Sequence, residues 1–290
     1  MKRWRRLIAS IAILVMLIAC LGEAGTVFAK DKDEDVPDPG TPPKGMAVKV
    51  FVHPVKGQAK GLDRAEAPAI IQEDPLNDAT QFGYSGIRWQ NPSNIRYWVN
   101  TNFSTRTSRG LTKAEAVAAI NSAFDTWEAA QTTQTDGART GPALVYTNAG
   151  ATSATGPKLD GKNVVAWKPL RLGYIAVTYV WYYTATGYIA EFDILFNNSY
   201  AWDYTPPQGI DDNPATYEDP TNLGPANTFD LRNIATHETG HTLMLDDIYD
   251  DNDNVAGEEL LTMYGYGSYS ELLKDTVQRG DHLGVCHIYP

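Results

Sequence analysis

The stretch ATHETGHTLMLDDIYD, residues 235–250, constrains this chain more than any other. On a helix, residues four apart share a face, so His237 and His241 direct both imidazoles at one point. Glu238, one position on, stays beside that point without joining it. Two imidazoles and an adjacent carboxylate on one helical turn are the parts of a zinc hydrolase: two metal ligands and a general base. The bland alternative is an exposed helix that happens to carry two histidines and a glutamate. A catalytic zinc takes three protein ligands and keeps one position open. Asp247 stands six residues after His241, just past the predicted helix end, where the chain can fold back towards the metal. Asp246 competes with it for that role. Met263, in LTMYGY, is strange for an exposed turn unless its side chain packs beneath something.

The remaining pattern is that of an α+β domain over about 91–290. NIRYWVN reads as a strand with Ile95, Tyr97 and Val99 on one face, and LTKAEAVAAINSAFDTWEAA as a helix. Thr112 and Glu115 form its capping box, and Val117, Ile120, Phe124 and Trp127 its apolar stripe. Short strands are predicted at 144–146 and 164–167. Longer ones at 175–183 and 189–196 are joined by a Thr-Ala-Thr-Gly connection. The aromatic run YVWYY in the first of these reads as strand packing, with a ligand platform as the alternative. Residues 200–228 read as loop, 229–243 as the site helix and 275–289 as a last helix.

The N-terminus differs in kind. MKRWRR followed by the apolar run Leu7 to Ala19 is too short to span a bilayer and has the form of a secretory leader. Cleavage after Ala29 is expected. Leu17-Ile18-Ala19-Cys20 offers the alternative of a lipid anchor through Cys20. Either way the chain leaves the cytoplasm, and no stable membrane insertion is expected once the leader is gone. Residues 30–45 are charged and proline-rich and read as a disordered linker. Residues 46–90 read as an N-terminal extension or prosegment. It opens on a strand with Val48, Val50 and Val52 on one face, and has no strong period after that. The formal charge of −11 becomes more negative without the basic leader. That argues against nucleic acid and anionic membranes as partners. The cysteines are Cys20 and Cys286, so no disulfide within the exported chain is available. Cys286 reads as a buried small hydrophobe.

HETGHTLMLDD with Met263-Tyr264 downstream resembles the metzincin zinc peptidases, matrixin-like branch, whose motif is H-E-x-x-H-x-x-G-x-x-[HD] followed by a Met-turn. EFDILFN (191–197) is similar to the strand before the family's active-site helix. Asp281, Gly284, Val285, Ile288 and Tyr289 match its C-terminal helix, and NIRYWVN with the helix from Thr112 its opening elements. The resemblance implies a twisted, mostly parallel sheet, a long N-terminal helix, an active-site helix, a Met-turn and a C-terminal helix. It further implies a secreted zinc endopeptidase, with His237, His241 and Asp247 as ligands and Glu238 as base. The expected substrate is an extended polypeptide, and the expected state a monomer. Met263 would lie under the zinc. Residues 175–181 would be the exposed edge strand on which substrate adds. The family's glycine is Met244 here, and its cysteine latch is absent.

Other candidates remain open at this stage. Glu258 or Glu259 could supply the third ligand instead. An inactive binding domain could use the same cleft. Asp211, Asp212, Asp219, Asp250, Asp251 and Asp253 are candidates for structural Ca2+ or, more simply, solvated loop carboxylates, since DDNDN fails the EF-hand pattern. His53, His282 and His287 are too scattered for a second metal site. Tyr264 and Tyr266 are candidates for holding substrate.

Overall fold

A computed structural model describes residues 36–58, 69–72, 80–103, 110–133, 141–206, 223–249 and 258–290. The leader, its cleavage site and Cys20 lie outside the described residues. So do the six loop aspartates considered for calcium. The architecture is α+β, with a mostly parallel central sheet and, among the described residues, three α-helices.

The sheet has six strands in the order β1-β7-β8-β6-β4-β5. They are β1 Met46–Pro54, β4 Ile95–Val99, β5 Tyr146–Ala151, β6 Asn163–Lys168, β7 Tyr174–Tyr183 and β8 Ile189–Asn197. The ladders β8/β6, β6/β4 and β4/β5 are parallel, while β7/β8 and β1/β7 are antiparallel. β7 is buried on both faces, which explains its near-continuous apolar run. Val177, Tyr179 and Trp181 join one cluster, and Ile175, Ala176 and Val180 the main core on the helix side. The strand-packing reading of YVWYY holds.

Helix α1, Lys113–Thr133, supplies the other side of the main core. Its start is the predicted capping box: Thr112 N–H donates to Glu115 Oε2 at 2.8 Å, and Glu115 N–H to Thr112 Oγ1 at 3.1 Å. Ile120, Phe124 and Trp127 are buried and Val117 is partly so. Trp127 also donates from Nε1 to the carbonyl of Thr236 at 2.7 Å, which fastens α1 to the site helix. Truncating a buried Trp or Phe typically costs about 3–5 kcal/mol, so this stripe carries much of the stability that holds the site helix in place.

Helix α2, Leu231–Thr242, is buried at every one of its 12 positions. The bland picture of an exposed helix is therefore excluded. The helix begins two residues later than expected, because Phe229–Asp230 (β10) pair with Trp202–Asp203 (β9) and Asp230 is the N-cap. Its carboxylate accepts from Asn233 N–H at 2.9 Å and Thr205 N–H at 2.6 Å. Helix α3, Arg279–Ile288, is also shorter than expected. A 3₁₀ turn at Leu273–Asp275 precedes it, and Asp281 accepts from Gln278 N–H at 3.2 Å at its first turn.

Two differences from the sequence reading matter for the site. First, residues 69–84 contain strands with no legible period, β2 Ala69–Gln72 and β3 Gln81–Tyr84. β3 pairs with β11, Leu245–Asp246, immediately after the site helix. Second, the β7 edge expected to be exposed is covered along its length by β1. The valines of β1 account for part of that, since Val48 and Val52 pack partly buried against the Val177, Tyr179 and Trp181 face.

Met244 is where the chain leaves α2. Its φ is +69°, the left-handed region that a glycine would occupy without penalty, and its side chain is fully buried. Strain at a non-Gly residue there costs roughly 1–2 kcal/mol, whereas a buried Met is worth about 2–5 kcal/mol on truncation. Packing wins. Met244→Gly is expected to lower stability by about 1–3 kcal/mol, and Met244→Ala by about 1 kcal/mol more, since alanine loses the packing and keeps the strain. Denaturant unfolding of both variants checks this, and equal losses would remove strain from the account.

Candidate metal centre

The buried helix places His237 and His241 one turn apart, and their Nε2 atoms are 3.1 Å from each other. Asp247 Oδ1 lies 3.2 Å from His237 Nε2 and 3.4 Å from His241 Nε2. Backbone carbonyls hold both rings from behind. His237 Nδ1 is 2.7 Å from the oxygen of Thr262, and His241 Nδ1 is 2.8 Å from that of Leu245. A carbonyl can only accept, so each Nδ1 carries its hydrogen and each Nε2 directs a lone pair inward. Two lone pairs and a carboxylate oxygen thus converge with no neutral donor between them. A cation would satisfy such a set, and these residues could hold a metal ion.

The electrostatics agree. Burial pushes His237 down to about 4, which keeps its ring neutral. Burial also pulls His241 down, but the charge of Asp247 overrides it and the net shift is upward. Asp247 resists burial because of His241 and the two histidine contacts, and stays well below the ordinary carboxylate range. A single proton on His241 is the least that satisfies this group. A coordinated metal ion satisfies all three donors at once.

The turn after α2 decides which aspartate faces the centre. Leu245–Asp246 pair with Tyr84 and Gly83 of β3, and Asp246 turns out to the ammonium of Lys49. Asp247 then faces inward, with its side chain 13 % exposed. Beyond it, Ile248 N–H donates to the carbonyl of Met263 and Gly265 N–H to that of Ile248, both at 2.8 Å, so the Met263 turn is tied to the same segment. Asp281 secures that turn from α3, accepting from Thr262 N–H at 2.8 Å and Met263 N–H at 3.1 Å. Met263 packs under the helix against Gly240, where a Cβ would meet its sulfur at 2.2 Å and Trp127 at 2.8 Å. That close approach is why a glycine sits between the two histidines of the motif.

Glu238 is fully buried beside the centre. Thr178 of β7 donates to its Oε2 at 2.6 Å. Burial pushes its carboxyl up to about 7. A carboxyl near neutrality both accepts and returns a proton, as a general base must.

The second oxygen of Glu238 is met by a residue that sequence reasoning set aside. His53 of β1 places Nδ1 3.1 Å from Oε1, and its ring is 3.9 Å from that of His237. It belongs to the centre and is not scattered from it. His53, His237 and Glu238 also lie within ligand spacing of one another, as a second possible group. Only one sequence signal pointed this way: Lys49, Phe51 and His53 alternate on the face opposite the three valines. Glu258 is buried in a short 3₁₀ turn, Glu258–Leu260, and neither it nor Glu259 belongs to either group. Cys286 is only partly buried and lies 3.5 Å from Nε2 of His282, so it is not the fully buried hydrophobe expected. His282 packs in α3 as expected, and His287 is exposed.

The fold and site together define a mixed α+β domain with a buried set of donors able to hold a metal ion. Comparison with protein-family models and with curated proteins finds no match to this chain.

Proposed function

We propose that this chain is an exported zinc-dependent endopeptidase of the metzincin type, matrixin-like branch. The observation that carries the reading is the meeting of His237, His241 and Asp247 at 3.1–3.4 Å beside a buried Glu238. Three protein ligands leave the fourth position of a tetrahedral ion for water or substrate, the arrangement of catalytic zinc. A zinc ion there would supply a Lewis acid that polarises the scissile carbonyl and makes water more acidic. The protein's own groups do the rest. Thr178 holds Oε2 of Glu238, and Oε1, which His53 meets in this structure, is the oxygen that would face the reacting atoms. Glu238 takes the proton of the attacking water and returns it to the nitrogen of the leaving amine. Asp247 in place of a neutral imidazole lowers the charge of the centre by one, which would make a bound ion a weaker Lewis acid, other things being equal.

Export of a soluble chain follows from the leader motif, with the Cys20 anchor as its alternative. No helix among the described residues is long and apolar enough to cross a membrane. Metal content and turnover test the reading together. One zinc per chain is expected, with hydrolysis of a generic unfolded protein that chelation abolishes and zinc restores. Stoichiometric zinc with no turnover, in the intact chain and in His53→Ala alike, would leave an inactive binding domain.

A further inference from the structure

The strand β1 lies where a peptidase needs space. It pairs with β7 from Met46↔Tyr183 to Pro54↔Tyr174. Where it ends, the chain is bonded on both flanks. Val55 N–H donates to the carbonyl of Gly173 at 2.8 Å on the β7 side. On the other side, Lys56 N–H donates to the carbonyl of Gly267 at 2.8 Å, and Gly267 N–H to that of Pro54 at 3.0 Å. The segment therefore runs in a groove, with β7 as one wall and the chain following the Met263 turn as the other.

Its inward side chains read the site in order. Lys49 pairs with Asp246. Phe51 stacks on His241, with ring centres 4.1 Å apart and planes 11° from parallel. His53 lies over His237 and against Glu238. A strand kept only to close a sheet would present apolar groups to a buried helix. Here a cation, an aromatic ring and an imidazole each meet a charged or ligand-bearing partner. Among the described residues the strand has one sheet neighbour and the buried Nε2 of His53 makes no hydrogen bond, and its Val50 is exposed. A buried polar atom without a partner weakens a contact, which suits a segment that has to leave.

The chemical consequence falls on Glu238. With Thr178 on Oε2 and His53 on Oε1, both oxygens of Glu238 already have a partner, and the His53 ring takes up the space beside Oε1. An extended substrate would also find the backbone groups of β7 already paired.

We propose that Met46–Pro54 is an intramolecular occupant of the substrate groove that holds the full chain latent, with His53 capping the general base. The proposal rests on the peptidase reading above. Displacing the strand frees both the β7 edge and Glu238, and a substrate then pairs with β7 in its place. The absent cysteine latch is thus replaced by a different device, built from a strand and an imidazole.

Three zinc-loaded full-length chains test it: the parent, the double variant Lys49→Ala/His53→Ala, and Val50→Pro, which weakens β1 at an exposed position. Zinc content and thermal melting confirm that each is folded. Both variants are expected to hydrolyse an unfolded protein at least ~10-fold faster than the parent, because more of each is in the open state. A synthetic peptide of residues 46–56, added in trans, should inhibit them and leave the parent unaffected. Equal turnover in all three, with no inhibition by the peptide, would keep the peptidase reading and overturn latency. No turnover in any zinc-loaded form would overturn the peptidase reading itself, and latency with it.

Discussion

Asp247→Ala is expected to empty the metal centre, while Asp246→Ala leaves it filled. Removing Asp247 leaves two imidazoles, one short of the usual catalytic set, and takes away the only formal negative charge in the group. Zinc per chain, measured after dialysis against a weak chelator, should fall below about a tenth of the parent value, and activity should fall with it. Asp246 is committed to Lys49, and its loss should change strand contacts without changing metal content. Asp247→His should keep the metal, since imidazole is an equally good ligand, with the ion shifted by the longer side chain. The competing group of His53, His237 and Glu238 gives the opposite pattern: Asp247→Ala would stay loaded and Glu238→Gln would not. The first group is favoured on charge. Asp247 is held ionised, whereas the buried Glu238 gives up its proton only near neutrality.

Glu238→Gln is the second large effect. The carboxamide has the same shape, can still accept from Thr178, and can offer its amide hydrogens to His53 after a change of tautomer. Folding and zinc content should therefore be preserved. Turnover should fall by at least ~10²-fold, the usual loss for a positioned base. The measurement belongs in the His53→Ala background, where the strand no longer caps the oxygen being tested. Near-parental turnover there would remove Glu238 from the mechanism.

The parts of the site that sit on one helical turn were legible in the sequence because helix geometry is local. His237, Glu238 and His241 needed only the 3.6-residue period to be brought together. The capping box at Thr112 and the stripe through Trp127 were legible for the same reason. Asp247 was legible as a candidate by spacing, but Asp246 could not be separated from it. Their difference depends on a positive φ at Met244 and on pairing of Leu245–Asp246 with a strand some 160 residues earlier in the chain, at Gln81–Tyr84. That strand has no period to announce it.

His53 shows the limit most clearly. Nothing in VFVHPV marks a histidine that will meet a glutamate 185 positions away. Strand pairing is non-local, and which edge an N-terminal strand takes is set by the whole sheet, not by its own residues. The sequence by itself determined the local chemistry: two imidazoles and a base on a helix, an acidic turn after it, and a methionine to pack beneath. Only the tertiary structure decided which aspartate turns inward, and that the expected open edge is filled by the chain's own first strand. Both outcomes depend on hydrogen bonds between distant backbones, and those bonds carry no side-chain signature that a single sequence can display.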